Sequence, residues 1–381
     1  MPKDHGGYIC FGASVCASTE FRQAGEDEPL KTSGFAATDA NMPLQPFSFE
    51  RREPRANDVA IDILYCGVCH TDLHMTRNDW GGSIYPMVPG HEIVGRVSAI
   101  GSAVSRFKVG DPVAVGTIID SCMQCDQCRR NEEQMCRKGV TLTYNGQDRV
   151  TGDITYGGYS SHIVVREEFV LRVPDGLDLA RAAPLLCAGI TTYSPLRNWN
   201  VGPGSRVGVV GLGGLGHLAV KFASALGAHV TVLTRSEGKA DTARQLGADD
   251  VLLSTSAEQM ASAAFAFDVI IDTVPYEHDL GPYLDLLDAD GTLVIAGSLV
   301  DTPAFSNMRL IGARRRIAGT PSGGIRQTQE MLDFCARKNI LPECEMIAIG
   351  DIGQAFERLE RGDVRYRFVI DMASLPADQA A

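Results

Sequence analysis

Four cysteines, Cys122, Cys125, Cys128 and Cys136, fall in one short stretch with the spacing C-x2-C-x2-C-x7-C. The spacing predicts a tetrathiolate zinc site. Zinc with four thiolates keeps no open coordination position, so this lobe is expected to be structural and to do no chemistry. The bacterial ferredoxin run also begins with two x2 gaps, but it closes with an x3 gap and a proline. Here seven residues intervene and Arg137 follows, which favours zinc over an iron-sulfur cluster. Four unrelated buried thiols would want apolar surroundings. The stretch is polar instead, with Asp126-Gln127 and then Arg129-Arg130-Asn131-Glu132-Glu133-Gln134. Catalytic ligands must be sought elsewhere.

At 381 residues the chain exceeds the size at which one hydrophobic core keeps growing, so two domains are expected. A hydrophobic content of 44% suits a globular protein. The formal net charge is -12 and there is no long basic run, which argues against nucleic acid as a partner. The triplet Arg314-Arg315-Arg316 reads as a solvated strand or loop edge. Eleven cysteines, an odd number with many at metal-ligand spacing, and no basic start leading into an apolar segment point to a reducing cytoplasm without export. No stretch approaches the roughly 20 apolar residues that a membrane helix requires. Residues 1–30 mix Gly, Cys, Ser and acidic residues without periodicity, and Cys10 and Cys16 have no evident partners. This segment reads as a flexible extension.

Over residues 31–180 short apolar runs are broken by Gly, Pro and Asp, as in Val59-Ala60-Ile61-Asp62-Ile63-Leu64-Tyr65 and Gly95-Arg96-Val97-Ser98-Ala99-Ile100. They predict a mostly antiparallel β domain. The texture changes over residues 181–318. Ala182 to Trp199 reads as a helix, and the buried strands Val207–Val210, Val230–Leu233 and Val269–Ile271 then alternate with Ala-rich helical segments such as Leu215 to Leu226. That alternation predicts a parallel, doubly wound sheet, so the fold class is α/β. Residues 319–381 carry an amphipathic helix around Gln329 to Arg337 and the strand Arg367–Ile370, and read as a return to the first domain.

The segment Gly211-Leu212-Gly213-Gly214-Leu215-Gly216 follows the strand ending at Val210 and opens the next helix. G-x-G-x-x-G in that context is a dinucleotide site: the missing Cβ atoms allow the tight turn, the approach of backbone to pyrophosphate and helix packing, and the helix N-terminus faces the phosphates. An NAD enzyme places an acid about 20 residues on, at the end of the next strand. That strand ends here in Thr234-Arg235-Ser236, with Lys239 close behind. Hydroxyls and cations suit a 2′-phosphate, which predicts NADP(H). Glu237 alone could supply a carboxylate, if the register were off by two or three residues.

An open zinc site needs three protein ligands and one exchangeable position. Candidates lie in Cys66-Gly67-Val68-Cys69-His70-Thr71-Asp72-Leu73-His74, in Gly90-His91-Glu92 and at Cys187 in Leu185-Leu186-Cys187-Ala188-Gly189-Ile190-Thr191. The pair Cys66 and Cys69 could be a redox or structural-zinc half-site, but no second pair is left to complete one.

These segments, with Gly90-His91-Glu92-Ile93-Val94-Gly95, Gly101, Tyr156-Gly157-Gly158-Tyr159 and Glu330-Met331-Leu332-Asp333-Phe334-Cys335, resemble the zinc-dependent medium-chain alcohol dehydrogenases, most of all their cinnamyl alcohol dehydrogenase branch. The resemblance runs from about Gly34 to Val369. It implies a GroES-like catalytic domain, a Rossmann nucleotide domain and two zinc ions per subunit, one catalytic and one structural. Cys69, His91 and Cys187 would be the catalytic zinc ligands, with Glu92 a conditional one. Asp72 matches the acid that orients the histidine ligand, and Cys66 a packed thiol. Thr71 and His74 match the proton relay, His70 a pyrophosphate contact and Thr191 a nicotinamide contact. Trp80 resembles a wall of the substrate pocket, with an ordinary core aromatic as the other reading, and His217 is read as a structural helix residue. The implied reaction is hydride transfer between NADPH and an aldehyde, in a homodimer joined through the nucleotide domains. A polyol dehydrogenase of the same superfamily or a non-catalytic NADP-binding sensor are the competing expectations.

Overall fold

The computed structural model of the chain describes residues 30–297 and 300–376. Of the segment read as a flexible extension, only Leu30 falls within them, where it opens the strand Leu30–Ala36 of a hairpin with Gln45–Arg51.

Two large sheets organise the described residues. In one, the order is Asp250–Leu253, His229–Thr234, Arg206–Val210, Phe267–Asp272, Leu287–Ile295 and Arg316–Gly319, every pairing parallel. Its central strands are β-branched runs buried along most of their length, as expected of a sheet covered by helices on both faces. The chain winds outward from Arg206–Val210 to one side and then crosses to Phe267–Asp272 on the other. A crevice therefore opens at the carboxyl ends of these two strands, where Val210 lies opposite Asp272.

The other sheet runs Cys344–Ala348, Arg367–Asp371, Asp58–Val68, Ile93–Ile100, Pro112–Val115 and Leu171–Arg172, with His162–Arg166 also paired to Asp58–Val68. Only the pairing of Cys344–Ala348 with Arg367–Asp371 is parallel. The late strand Arg367–Asp371 thus sits inside a sheet built largely from early residues, with Phe368 opposite Val68.

One apolar cluster joins the two sheets, taking Val94 and Ala114 from the antiparallel one, Val207 and Val269 from the parallel one, and Leu185, Leu196 and Leu332 from the helices between. The helix Ile325–Lys338 buries Thr328, Met331, Leu332 and Cys335, spaced as one helical face. It ends at Asn339 in the left-handed region, whose N–H bonds the Cys335 carbonyl. The continuous helix expected from Ala182 to Trp199 is a correction: short turns at Leu179–Ala182 and Ala183–Leu186 give way at Cys187, and a helix resumes over Ala188–Asn198. Cys187 leaves helical geometry at φ -125° and ψ -71°. The break sets its side chain apart from the apolar helix faces on either side. No helix among the described residues is long and apolar enough to cross a membrane.

Candidate active site

Where the strand Asp58–Val68 ends, Cys69 caps the short helix His70–Thr76. The Asp72 carboxylate reaches back to accept the Cys69 N–H at 2.9 Å, the geometry of a capping box. That carboxylate is completely buried and does more than start a helix. Its other oxygen accepts the Gly90 N–H and His91 Nδ1–H, each at 3.1 Å, while Tyr159 donates its hydroxyl at 3.3 Å to the oxygen that holds the Cys69 N–H. One acid therefore fixes both the Cys69 turn and the His91 ring.

With Nδ1 committed to Asp72, His91 presents Nε2, which is buried and has no hydrogen-bond partner among the described residues. Cys69 Sγ and Cys187 Sγ lie 3.8 Å apart, and ligand atoms of Cys69, His91, Glu92 and Cys187 all fall within 4.8 Å of one another. A bare imidazole nitrogen facing two thiols is a poor arrangement for a dry core and a good one for zinc, so the donor set fits that ion. The hydrogen bond from Cys187, then the nearby His91, hold the Cys69 thiol well below its ordinary value. Glu92, also fully buried, pairs with the Arg367 guanidinium, and burial pushes it up to about 7.

Thr71 and His74 sit on the same short helix, with Thr71 Oγ1 3.6 Å from Cys69 Sγ. His74 Nδ1 is 2.7 Å from Asp79 Oδ2, which orients the ring and leaves Nε2 available. His74 also lies between His70 and Trp80, with ring centroids at 6.3 and 4.9 Å. Trp80 is 40% exposed, which removes the reading as a core aromatic. Thr191 stands half-buried one turn beyond Cys187, its N–H bonded to the Cys187 carbonyl at 3.0 Å. Cys66 is buried with its thiol pushed up by burial, and it is not one of the four grouped ligand residues.

The glycine run occupies the turn between the strand Arg206–Val210 and the helix Gly216–Ala225. Gly211 has φ +88°, and a Cβ on Gly216 would lie 2.2 Å from the Gly211 carbonyl oxygen, so both positions exclude other residues. A Cβ on Gly213 would meet nothing within 4 Å, leaving this face of the turn open. The next strand ends at Thr234, as the sequence predicts. Thr234 is buried, while Arg235, Ser236 and Lys239 are exposed, and Glu237 begins the short turn Glu237–Lys239 beyond them. Leu215 precedes the helix as its N-cap residue.

Well along the chain from Cys69, Cys122, Cys125, Cys128 and Cys136 bring their sulfurs within 4.8 Å of one another. All four are free thiols, and the Cys125 to Cys128 separation of 3.5 Å is far beyond a disulfide bond. Backbone N–H groups of Cys122, Cys125 and Arg137 point at sulfurs at 3.4 Å, and those of Cys128 and Arg137 bring Cys125 down to about 6. Such a cage favours four thiolates around one ion. The lobe also holds the helix Ile325–Lys338: the buried Glu133 carboxylate accepts the Ile325 N–H at 3.0 Å.

Arg367 and Asp79 were not among the residues singled out from sequence. Arg367 lies 275 positions from its partner Glu92, and nothing local marks the pair. Asp79 stands five residues after His74, past the end of the helix His70–Thr76, where helical spacing does not mark it.

Two family profiles match this chain, the alcohol dehydrogenase GroES-like domain over residues 55–175 and zinc-binding dehydrogenase over residues 214–337. Aldehyde reductase YahK of Escherichia coli is 51% identical over 349 residues, covering 91% of this chain and 99% of that protein. The chain belongs to the zinc-binding alcohol dehydrogenases. Among solved structures, a cinnamyl alcohol dehydrogenase of Sorghum bicolor superposes with a TM-score of 0.88 at 45% identity, covering 92% of this chain and all of that one. A cinnamyl alcohol dehydrogenase of Helicobacter pylori complexed with NADP(H) gives 0.85 at 40% identity, over 91% and 99% of the two chains. As a zinc-binding alcohol dehydrogenase the chain is an oxidoreductase acting on alcohols and aldehydes. The antiparallel sheet is the GroES-like part and the parallel sheet the Rossmann part of that family's architecture.

Proposed function

We propose that this zinc-binding alcohol dehydrogenase uses NADP(H) and works chiefly as a reductase of aromatic or medium-chain aldehydes. The observation that carries the reading is the bare, buried His91 Nε2 facing Cys69 and Cys187, with the Thr71 and His74 pair on the adjoining helix. Cys69, His91 and Cys187 would hold the catalytic zinc, with Glu92 near enough to exchange in. Bound there, zinc supplies Lewis acidity at the carbonyl. The chain's own residues do the rest. Thr71 hands a proton to the reduced substrate, His74 replenishes it, and Asp79 keeps the His74 ring turned with Nε2 free. Trp80, packed on His74, offers a flat apolar wall for an aromatic aldehyde. Gly211, Gly213, Gly214, Leu215 and Gly216 would cradle the pyrophosphate, His70 would contact it as well, and Thr191 would contact the nicotinamide.

NADP selectivity is assigned to the end of the strand His229–Thr234. Thr234, Arg235, Ser236 and Lys239 would receive the 2′-phosphate, and the NADP(H) bound to the Helicobacter pylori relative supports the same choice. A polyol dehydrogenase using NAD would want a carboxylate at this strand end. Sheet membership supports dividing the chain into a catalytic part over 31–180 and 319–381 and a nucleotide part over 181–318. The edge strand Arg316–Gly319, beside Met308 and Ile311 at 67% and 68% exposure, supports a homodimer through the nucleotide parts. Free thiols at the cysteines among the described residues support a cytoplasmic setting.

The test is a coenzyme-resolved rate with cinnamaldehyde or benzaldehyde, NADPH against NADH. NADPH should be preferred, and Arg235→Ala should cut that preference by about 10- to 100-fold, the worth of one hydrogen bond to a charged group. Preference for NADH in the unmodified enzyme would overturn the cofactor assignment.

A further inference from the structure

We propose that His217 is a positioning residue for the dinucleotide loop, clamping the glycine turn to the return segment that carries Arg367; the inference rests on the dinucleotide reading above. His217 is the second residue of the helix Gly216–Ala225 and is completely buried. Its Nδ1 lies 3.1 Å from the Gly213 carbonyl oxygen, which also accepts the His217 backbone N–H at 3.1 Å. Its ring stacks on Tyr366, with centroids 4.5 Å apart and planes 9° from parallel. Burial drives the imidazole down to about 3, so it is neutral and carries its proton on Nδ1. Nε2 then has no partner among the described residues.

A buried nitrogen without a partner is costly, and leucine or phenylalanine would fill the space without it. The histidine is therefore explained by the bond that Nδ1 makes. That bond fixes the peptide plane between Gly213 and Gly214. In a trans peptide the Gly214 N–H points opposite to the Gly213 carbonyl, so drawing the oxygen toward the helix turns the N–H outward. Outward is where a pyrophosphate approaches a helix N-terminus. The stack on Tyr366 meanwhile holds the turn against the return segment, where a Cβ on Gly214 would come within 3.2 Å of Arg367 Cδ. Arg367 reaches on to Glu92. His217 thus links the nucleotide turn, through Tyr366 and Arg367, to the edge of the candidate zinc site.

Two substitutions separate donor from stack. His217→Phe keeps a flat ring on Tyr366 and loses the donor, whereas His217→Asn keeps an amide N–H near Nδ1 and loses most of the stack. NADPH Kd would be measured by fluorescence on the zinc-loaded, full-length enzyme, with aldehyde KM, zinc content and thermal midpoint alongside. His217→Phe should raise NADPH Kd about tenfold, the worth of a lost neutral hydrogen bond, with aldehyde KM and zinc content unchanged. His217→Asn should stay within about threefold of the parent even if its midpoint falls. Parent-like NADPH binding by His217→Phe would overturn the inference alone. So would equal losses in both variants that track the fall in midpoint. Unmodified enzyme that binds neither NADPH nor NADH would overturn the dinucleotide reading and the clamp with it.

Discussion

Asp72 shows how much one side chain can hold together. Its two oxygens receive the Cys69 N–H, the Gly90 N–H, the His91 ring and the Tyr159 hydroxyl, all inside the protein. An amide in its place would set an NH2 group against donors that need an acceptor. Asp72→Asn should therefore weaken zinc affinity by about 10- to 100-fold, read by competition with a chromophoric chelator, while the Cys122 cluster keeps its own ion. Loss of both ions together, or of neither, would contradict this division of labour. At this scale the sequence was informative wherever chemistry is carried by short spacing. The four lobe cysteines announce themselves because they all fall in one short run, whereas Cys69 and Cys187 stand 118 positions apart and their shared role was reached only through the resemblance. Glu92 and Arg367 do not announce themselves, since an ion pair across 275 positions leaves no local trace.

Secondary-structure elements repeat that contrast. The buried runs ending at Val210, Thr234 and Asp272 were legible as parallel strands because burial on both faces leaves them apolar throughout. The break at Cys187 was not, since Ala182 to Leu186 and Ala188 to Asn198 are both compatible with helix, and only the tertiary position of the thiol interrupts them. The start of the helix Ile325–Lys338 was also hidden. It has no side-chain cap of its own, and the acceptor comes from Glu133 in the cysteine lobe. Removing that carboxylate strands a buried N–H and the first turn of the helix. Glu133→Ala should cost about 1–2 kcal/mol in denaturant unfolding, against much less for Glu133→Gln, which keeps an acceptor oxygen. Equal stability of all three proteins would show that water serves the Ile325 N–H just as well.

For the molecule as a whole, the pattern of antiparallel runs followed by alternating strands and helices was enough to reach the architecture. Assembly is a matter of surfaces, and the homodimer is an expectation drawn from resemblance alone. If Arg316–Gly319 is the strand that meets its copy, a charge beside it should separate the protomers. Ile311→Glu is expected to convert a dimer to a monomer in light scattering after size exclusion, with the fold retained by circular dichroism. A parent protein that is already monomeric would dismiss that interface. The placement of Arg367–Asp371 inside the early sheet has a consequence for how the protein is made. During synthesis Asp58–Val68 emerges long before its neighbour, and Glu92 waits 275 residues for the guanidinium that balances it. Until then the GroES-like part has an open sheet edge and lacks the guanidinium that pairs with Glu92. The nucleotide part, whose strands are consecutive, can close on the ribosome first. Final sealing of the reaction centre is thereby deferred until the cofactor platform already exists.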